Sequence, residues 1–246
     1  MKKQHTTFLP ALSVLALLGG SIFAAGAGQQ PATNNRGAEP AAAARGPAPS
    51  LVRPASPTKA PDAAGFLKRW LVLDPIKVPG QLTDSAVRAT VTKEYFANQF
   101  AVVPHDADTV AVAGESLIWH AVDTVGYNVN LFHFAYALNK PTSNVLFWAV
   151  TVVDAPREMP GVRLAIGSNA ASIWWLNGQD VIGIYNDRQT VIDDGVSKRV
   201  TLKKGPNIVR AAIINAGGAT DFCARFLDEN GNPVKGFAVS LDAGRR

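Results

Sequence analysis

The most informative stretch of this chain is Gly167-Ser168-Asn169-Ala170-Ala171-Ser172-Ile173-Trp174-Trp175-Leu176-Asn177-Gly178. An apolar segment runs into Asn177-Gly178, and Asn-Gly is the strongest short sequence signal for a two-residue β-hairpin turn. Both residues of such a turn adopt positive φ, which glycine tolerates because it has no Cβ. The stretch therefore predicts a strand that folds back through residues 180–184.

Two tryptophans, Trp174 and Trp175, are adjacent on this strand, so their side chains must point to opposite faces of the sheet. Trp175 shares a face with Ile173, which favours a position in the interior. We expect Trp174 to lie on the other face, at a surface or in a cleft. The alternative is that each indole packs in its own layer.

Short apolar segments separated by turn residues follow one another from residue 109 onward. The predicted strands are residues 110–112, 117–119, 130–138, 145–153, 162–166, 171–176, 180–184, 200–202, 208–214, 222–227 and 237–241. Such a pattern, without helices between the strands, is typical of an all-β antiparallel sandwich or jelly roll. Upstream, residues 83–96 have apolar positions at helical spacing after Asp84, a suitable N-cap, and predict a short helix. Residues 63–73 could begin a second one, although residues 70–75 fit a strand closed by proline equally well, so we expect one or two short helices near the N-terminus of the domain.

The N-terminal part of the chain divides into two segments before the predicted domain of residues 62–246. Lys2 and Lys3, an apolar run over residues 8–23 and a small-residue segment ending at Ala27 predict a secretory signal peptide, residues 1–27. Residues 28–61 are rich in Ala and Pro and predict a disordered tether. We therefore expect an exported protein, periplasmic or extracellular, with no membrane span after processing.

Composition limits the possible functions. The 246 residues are 47% hydrophobic, so a domain of roughly 180 residues can bury a substantial core. The single cysteine, Cys223, excludes an intramolecular disulfide. The net charge of +5 becomes +3 without Lys2 and Lys3, and the basic residues are scattered, which argues against nucleic-acid binding.

Several motifs carry a family resemblance. A tryptophan strand, a tryptophan before an acidic segment and a tyrosine-containing strand correspond to residues 70–75, Trp119 with Asp123, and residues 134–137. The most specific matches are Gly167, Ser168, residues 175–178, Arg188, residues 202–205 and Asn207. In these residues the chain resembles secreted bacterial β-sandwich modules related to galactose-binding-like and PA14-like carbohydrate-binding domains, which accompany acetylxylan esterases and glycosidases. Asn169 and Ala170 stand where that family has two carboxylates.

Binding of a polysaccharide or oligosaccharide by a monomer without its own catalytic centre is the function that the resemblance and the hairpin together predict. An aromatic ring can stack on a pyranose while amides, carboxylates and guanidinium groups bind its hydroxyls. The predicted ligand-binding residues, which lie on the hairpin, on its outgoing loop and on one nearby strand, are Trp174, Asn177, Tyr185, Asp187, Arg188 and Asp221.

Two other function classes stay open at this point. A carbohydrate esterase of the acetylxylan-esterase type would use Ser168 or Ser116 with His120, although no Gly-x-Ser-x-Gly elbow occurs. An envelope scaffold domain would use exposed aromatic residues as a protein interface. We predict no cofactor; the turns at residues 193–195 and 228–231 could hold a structural calcium ion but are also ordinary turn sequences.

Overall fold

The structure, a computed structural model, describes residues 50–243. In chain order its elements are β1 (Leu51–Val52), β2 (Thr58–Lys59), β3 (Arg69–Leu73), β4 (Ile76–Lys77), α1 (Asp84–Thr92), β5 (Thr109–Val112), β6 (Glu115–Thr124), β7 (Val129–Asn130), α2 (Leu131–Ala137), β8 (Val145–Ala155), β9 (Met159–Ser168), β10 (Ala171–Leu176), β11 (Gln179–Ile184), β12 (Gly195–Val196), β13 (Val200–Leu202), β14 (Gly205–Asn215), β15 (Asp221–Leu227) and β16 (Ala238–Ser240). The predicted signal peptide lies outside the described residues.

Two antiparallel sheets form the domain. The large sheet has the order β1-β6-β3-β8-β14-β10-β11, with the short strands β2, β4, β5 and β16 joined to its sides. The small sheet has the order β12-β9-β15-β7, and β13 also pairs with β9. The predicted all-β class and antiparallel sandwich are confirmed.

The main core fills the space between the two sheets. Trp70 of β3, Trp174 of β10 and Phe222 of β15 meet there with ring centroids 5.0–6.0 Å apart. All three rings are fully buried, and edge-to-face contacts at such distances stabilise aromatic clusters beyond the area they bury.

A second apolar cluster covers the opposite face of the large sheet. Val87 and Val91 of α1 and Phe96 after it pack against Trp119 and Trp148, which project from that face. Both faces of the large sheet are therefore buried, unlike the usual antiparallel sheet that exposes one face to water. This second layer explains the near-continuous apolar run in β8.

The hairpin predicted from the Asn-Gly dipeptide is confirmed. Strands β10 and β11 pair antiparallel, and Asn177 and Gly178 between them have φ values of 51° and 83°. A register shift between Trp174 and Trp175 marks a bulge in this pairing. The two indoles do point to opposite faces of the sheet, one into each apolar cluster.

The predicted strand at residues 130–138 is wrong, because these residues form α2. Asn130 caps the helix by accepting a hydrogen bond from the His133 N–H at 2.7 Å, and Asn139, at φ 54°, follows its C-cap, Leu138. The buried residues Leu131, Phe134 and Ala135 have the i, i+3, i+4 spacing of a helix face. The sequence suggested helices only in the N-terminal part of the domain, but α2 lies between strands β7 and β8.

The boundary between tether and domain also differs from the prediction. Leu51 and Val52 pair with β6, and Thr58 and Lys59 pair with β16, so the last part of the predicted tether belongs to the large sheet. The remainder of the tether lies outside the described residues. The predicted helix is present as α1, but its N-cap is Thr83 and not Asp84, which occupies the first turn. No helix within residues 50–243 is long and apolar enough to cross a membrane.

Candidate functional site

A cavity of about 540 Å³ opens between α2, β6 and the N-terminal strand β1. Its lining, which we call the α2 groove, consists of residues 50–53, Asp106, residues 120–122, His133, Phe134 and residues 136–138. This volume lies within the roughly 300–1,000 Å³ typical of small-molecule sites. The groove combines apolar walls with a few charged and imidazole groups.

An exposed aromatic ring forms one edge of the α2 groove. The side chain of Tyr136 is 73% exposed, and its ring is parallel to that of Phe132 one helical turn earlier, with centroids 6.2 Å apart. Phe134, on the opposite side of α2, is buried and makes an edge contact with the His120 ring. Tyr136 is therefore positioned by the helix without being required for the core.

A charged pair, Arg53 and Asp106, lines the groove opposite the helix. The guanidinium group of Arg53 binds one carboxylate oxygen of Asp106, and the other oxygen accepts a hydrogen bond from the Ala121 N–H at 2.8 Å. The Arg53 side chain is 81% exposed, so its remaining donors face water. Together the two residues offer both donors and acceptors to a bound molecule.

The imidazole ring of His120 is held in place by the buried carboxylate of Asp74. Its Nε2 lies 3.0 Å from Oδ1 of Asp74, whose other oxygen binds the Lys140 ammonium group at 3.1 Å and the Ile118 N–H at 3.1 Å. Asp74 is 1% exposed, so this pair orients the imidazole that lines the groove. A ring held in this way presents a fixed polar edge to a ligand.

A second imidazole, that of His133, contacts a hydroxyl group across the groove. The Nδ1 atom of His133 lies 3.2 Å from the Oγ atom of Ser50. Both residues are accessible, and His133 is exposed, although the sequence suggested a structural histidine on a strand. Among the ion pairs of residues 50–243, those of histidine involve His105 and His120, and none joins His133 to a carboxylate.

The prediction that Trp174 lies at a surface or in a cleft is wrong. Its side chain is fully buried between the sheets, and its Nε1–H donates to the Ser172 hydroxyl oxygen at 3.0 Å. Trp175, which the sequence assigned to the interior, is half-buried on the other face of the large sheet, against Phe100 and Trp148. Alternation correctly separates the two indoles but assigns them to the wrong faces.

Two other predicted ligand-binding residues, Asn177 and Tyr185, contact neighbouring elements of the fold. The side-chain oxygen of Asn177 accepts from the Ile208 N–H and its amide donates to Asn207, both at 2.9 Å, which joins the hairpin tip to β14. The ring of Tyr185 lies against Arg88 of α1, whose guanidinium carbon is 4.7 Å from the ring centroid. Burial raises the pKa of the Tyr185 hydroxyl.

Arg188 and Asp221 are brought to the same end of the sandwich through the backbone of Asn169. The Arg188 N–H donates to the Asn169 carbonyl at 3.3 Å, and the Asn169 N–H donates to the Asp221 carbonyl at 3.0 Å. The Arg188 side chain pairs with Asp194, and the Asp221 carboxylate accepts from the side chains of Asn128 and Thr190. Asp187 is exposed in the intervening loop.

The two predicted nucleophiles, Ser168 and Ser116, are not positioned for catalysis with His120. Ser168 is fully buried, and its hydroxyl donates to the Ala170 carbonyl at 2.6 Å. Ser116 and His120 lie four residues apart on the same strand, a separation of roughly 13 Å. Neither serine can therefore transfer a proton directly to that imidazole.

The acidic turns considered for calcium make other contacts. Asp193 binds Arg225, with one contact at 2.9 Å, while Asp228 accepts from the N–H groups of Asn230 and Asn232 at 2.9 and 2.8 Å. Within residues 50–243 no group of three or more potential metal-ligating side chains converges. The Cys223 thiol is buried as expected, and burial raises its pKa to about 12, so it is protonated at neutral pH.

Sequence reasoning missed the residues that form the α2 groove. Ser50 and Arg53 fell in the predicted tether, and Tyr136 fell in a segment interpreted as a strand. One signal for the helix was available, because Leu131, Phe134, Ala135 and Leu138 follow a helical period after Asn130, a good N-cap residue. Nothing in the local sequence indicated that Leu51 and Val52 pair with β6.

No family model and no curated protein matches this chain. Among solved structures, it is similar to a PA14 sugar-binding domain from an RTX adhesin, with 12% identity over 70% of this chain and 96% of that one and a TM-score of 0.41. It is also similar to the PA14 domain of the antifreeze protein MpAFP, with 14% identity over 76% of this chain and 98% of that one and a TM-score of 0.41.

A weaker similarity is to a β-glucosidase from Kluyveromyces marxianus solved with glucose, with 16% identity over 64% of this chain and 16% of that one and a TM-score of 0.33. All of these TM-scores are below 0.5, so the function has to be inferred from the side chains of this chain.

Proposed function

We propose that this protein is an exported carbohydrate-binding β-sandwich protein and that the α2 groove is its glycan site. The observation that carries the proposal is the Tyr136 ring, 73% exposed at the edge of a cavity that also contains charged and imidazole groups. Phe132 and Tyr136 stack to form an aromatic surface at the edge of this cavity, and exposed apolar surface rimmed by polar groups is typical of ligand-binding grooves.

The chemistry of the groove fits a sugar ring. The flat face of Tyr136 can cover the apolar C–H face of a pyranose, and Arg53, Asp106 and the two imidazoles can donate to or accept from its hydroxyls. A concave site with apolar walls and few polar groups favours a small ligand over the flat apolar patch expected for a protein partner.

Export and the sugar partner belong to the same proposal. Lys2, Lys3, the apolar run at 8–23 and the small residues ending at Ala27 support secretion, which would bring the domain to extracellular or cell-wall polysaccharides. We expect the domain to act as a monomer.

Replacing Tyr136 by alanine should weaken glycan binding by about tenfold, because the stacking surface is lost while the polar groups remain. Affinity electrophoresis across a panel of soluble polysaccharides measures this directly: the wild-type protein is retarded on at least one glycan, and the variant needs about ten times the glycan concentration for the same retardation. Stability should change by only about 0.5 kcal/mol, because the ring is exposed.

Two matched variants locate the site. Tyr127→Ala removes another partly exposed ring, which packs on Phe66 outside the groove, and should leave binding unchanged. Tyr185→Ala tests the alternative site predicted from the sequence, which also contains Asp187, Arg188 and Asp221. Loss of binding with Tyr185→Ala but not with Tyr136→Ala would move the site to the hairpin loop, and no retardation of folded wild-type protein on any glycan would reject the proposal.

A carbohydrate esterase is a second candidate, favoured by the 3.2 Å contact between Ser50 and His133 in the groove. A serine nucleophile needs a base that is itself oriented by a third group, and His133 has no such partner in the described part of the chain. We therefore expect purified protein to hydrolyse 4-nitrophenyl acetate no faster than buffer does. A rate above buffer that disappears with Ser50→Ala would contradict this expectation.

A further inference from the structure

Arg210 is a buried cation on the outer face of the large sheet. It lies on β14 between Trp175 of β10 and Val150 of β8, and it is only 2% exposed. Burying a charge without a partner costs several kcal/mol, so buried arginines are normally paired with carboxylates.

The guanidinium group of Arg210 is incompletely satisfied. Its Nη2 donates to the Val102 carbonyl at 2.6 Å, whereas the buried Nη1 has no hydrogen-bond partner. No carboxylate within residues 50–243 pairs with it, in contrast to Arg69, which binds Asp123 through two nitrogens. Burial lowers the pKa of Arg210 to about 10, so the group is still positively charged at neutral pH.

A cavity of about 470 Å³ adjoins this group at the tip of the hairpin, and we call it the hairpin cavity. Arg210 and Lys203 contribute two positive charges to its lining, and no acidic residue of the described range 50–243 belongs to that lining. Phe100 forms an aromatic wall, held by edge contacts to Trp148 and Trp175 at 5.5 and 5.7 Å, and Asn177 lies at the rim. The cavity thus combines cations with an apolar surface.

We propose that the hairpin cavity binds a carboxylate group attached to an apolar or sugar body. Arg210 would supply the donor that is unpartnered inside the protein, Lys203 a second charge from the rim, and Phe100 a surface for the body of the ligand. Guanidinium groups match the planar geometry of carboxylates and suit sites of this kind. This inference is independent of the glycan proposal, because the α2 groove is formed by other residues.

Titration of the full chain with sodium benzoate and with sodium D-galacturonate tests the inference, since the two probes share only the carboxylate. We expect a saturable rise in melting temperature with at least one of them, beyond that caused by sodium chloride at equal ionic strength and by neutral D-galactose. Arg210→Met should raise the Kd about tenfold or more, because a hydrogen bond to a charged group is lost.

Other variants distinguish a loss of carboxylate binding from a loss of folding. Arg210→Lys keeps the charge without the planar fork and should bind with intermediate affinity, and the exposed Lys203→Ala should also weaken binding. Lys204→Ala, an equally exposed neighbour outside the lining, should bind carboxylates as the wild-type protein does. The inference is overturned if neither probe shifts the melting temperature, or if Arg210→Met responds to both probes as the wild-type protein does.

Discussion

Replacing Trp174 by alanine should lower the free energy of unfolding by about 3–5 kcal/mol, the range for truncation of large aromatic residues in a core. The indole is fully buried between the sheets and contacts Trp70 and Phe222 edge to face, at 6.0 and 5.3 Å. Alanine would leave a large cavity and remove the donor to Ser172. Urea denaturation followed by fluorescence measures the loss.

The same variant separates a structural role from a ligand-binding one. Trp174→Phe, which keeps an aromatic ring in the core, should cost clearly less and serves if the alanine variant does not fold. Trp175→Ala, at the half-buried position, should also cost less. If Trp174→Ala left stability unchanged but abolished glycan binding, the burial of this indole and the role assigned to it would both be contradicted.

Replacing Asp123 by alanine should have an effect of similar size, about 3–5 kcal/mol, because it leaves the buried cation Arg69 without its partner. Arg69 is 1% exposed and binds both carboxylate oxygens, at 2.8 and 3.0 Å. Lys59 adds a contact at 3.0 Å, and Arg69 also donates to the Ser56 carbonyl at 2.8 Å. The variant should therefore also release residues 56–59 from the sheet, which faster proteolysis in this segment would reveal.

An exposed ion pair provides the control for Asp123. Lys77 and Glu115 lie 3.4 Å apart with both side chains about two-thirds exposed, so Glu115→Ala should change the free energy of unfolding by less than about 1 kcal/mol. If Glu115→Ala and Asp123→Ala lowered the free energy of unfolding equally, burial of the Arg69–Asp123 pair would contribute nothing to stability.

Acid should weaken the Asp123 pair in a predictable direction. Burial alone would raise the pKa of Asp123, but hydrogen bonds and charge attraction from Arg69 and Lys59 outweigh it and hold the pKa below the ordinary value of 3.8. The contribution of the pair is therefore complete above that value and is lost as the pH falls through the lower folded-state pKa. Asp123→Asn should lack this part of the acid dependence in denaturation curves measured from neutral to low pH.

The hairpin could be predicted from sequence because its signals are local. Asn177-Gly178 specifies the turn through backbone conformation alone, and strand alternation separates Trp174 from Trp175. Which indole faces the main core could not be predicted, because α1 and Phe96 cover the second face of the large sheet. When both faces of a sheet are buried, alternation no longer distinguishes inside from outside.

The α2 groove could not be predicted from the sequence for two different physical reasons. Residues 130–138 contain enough aromatic residues to favour a strand, and the cap at Asn130 together with burial of Leu131 and Phe134 against the core favours the helix instead. Residues 50–61 have the composition of a tether, but Leu51 and Val52 pair with Thr124 and Asp123 of β6 and so join the sheet. Contacts between residues so distant in sequence leave no local pattern.

The central claim is that sugar binds in the α2 groove, and amide chemical-shift mapping tests it most directly. The ¹⁵N-labelled protein would be titrated with an oligosaccharide of whichever polysaccharide retards it. We predict that the shifted amides cluster at residues 50–53, 120–122 and 133–138. Shifts confined to residues 185–188 and Asp221, or no shifts at saturating oligosaccharide, would contradict the claim.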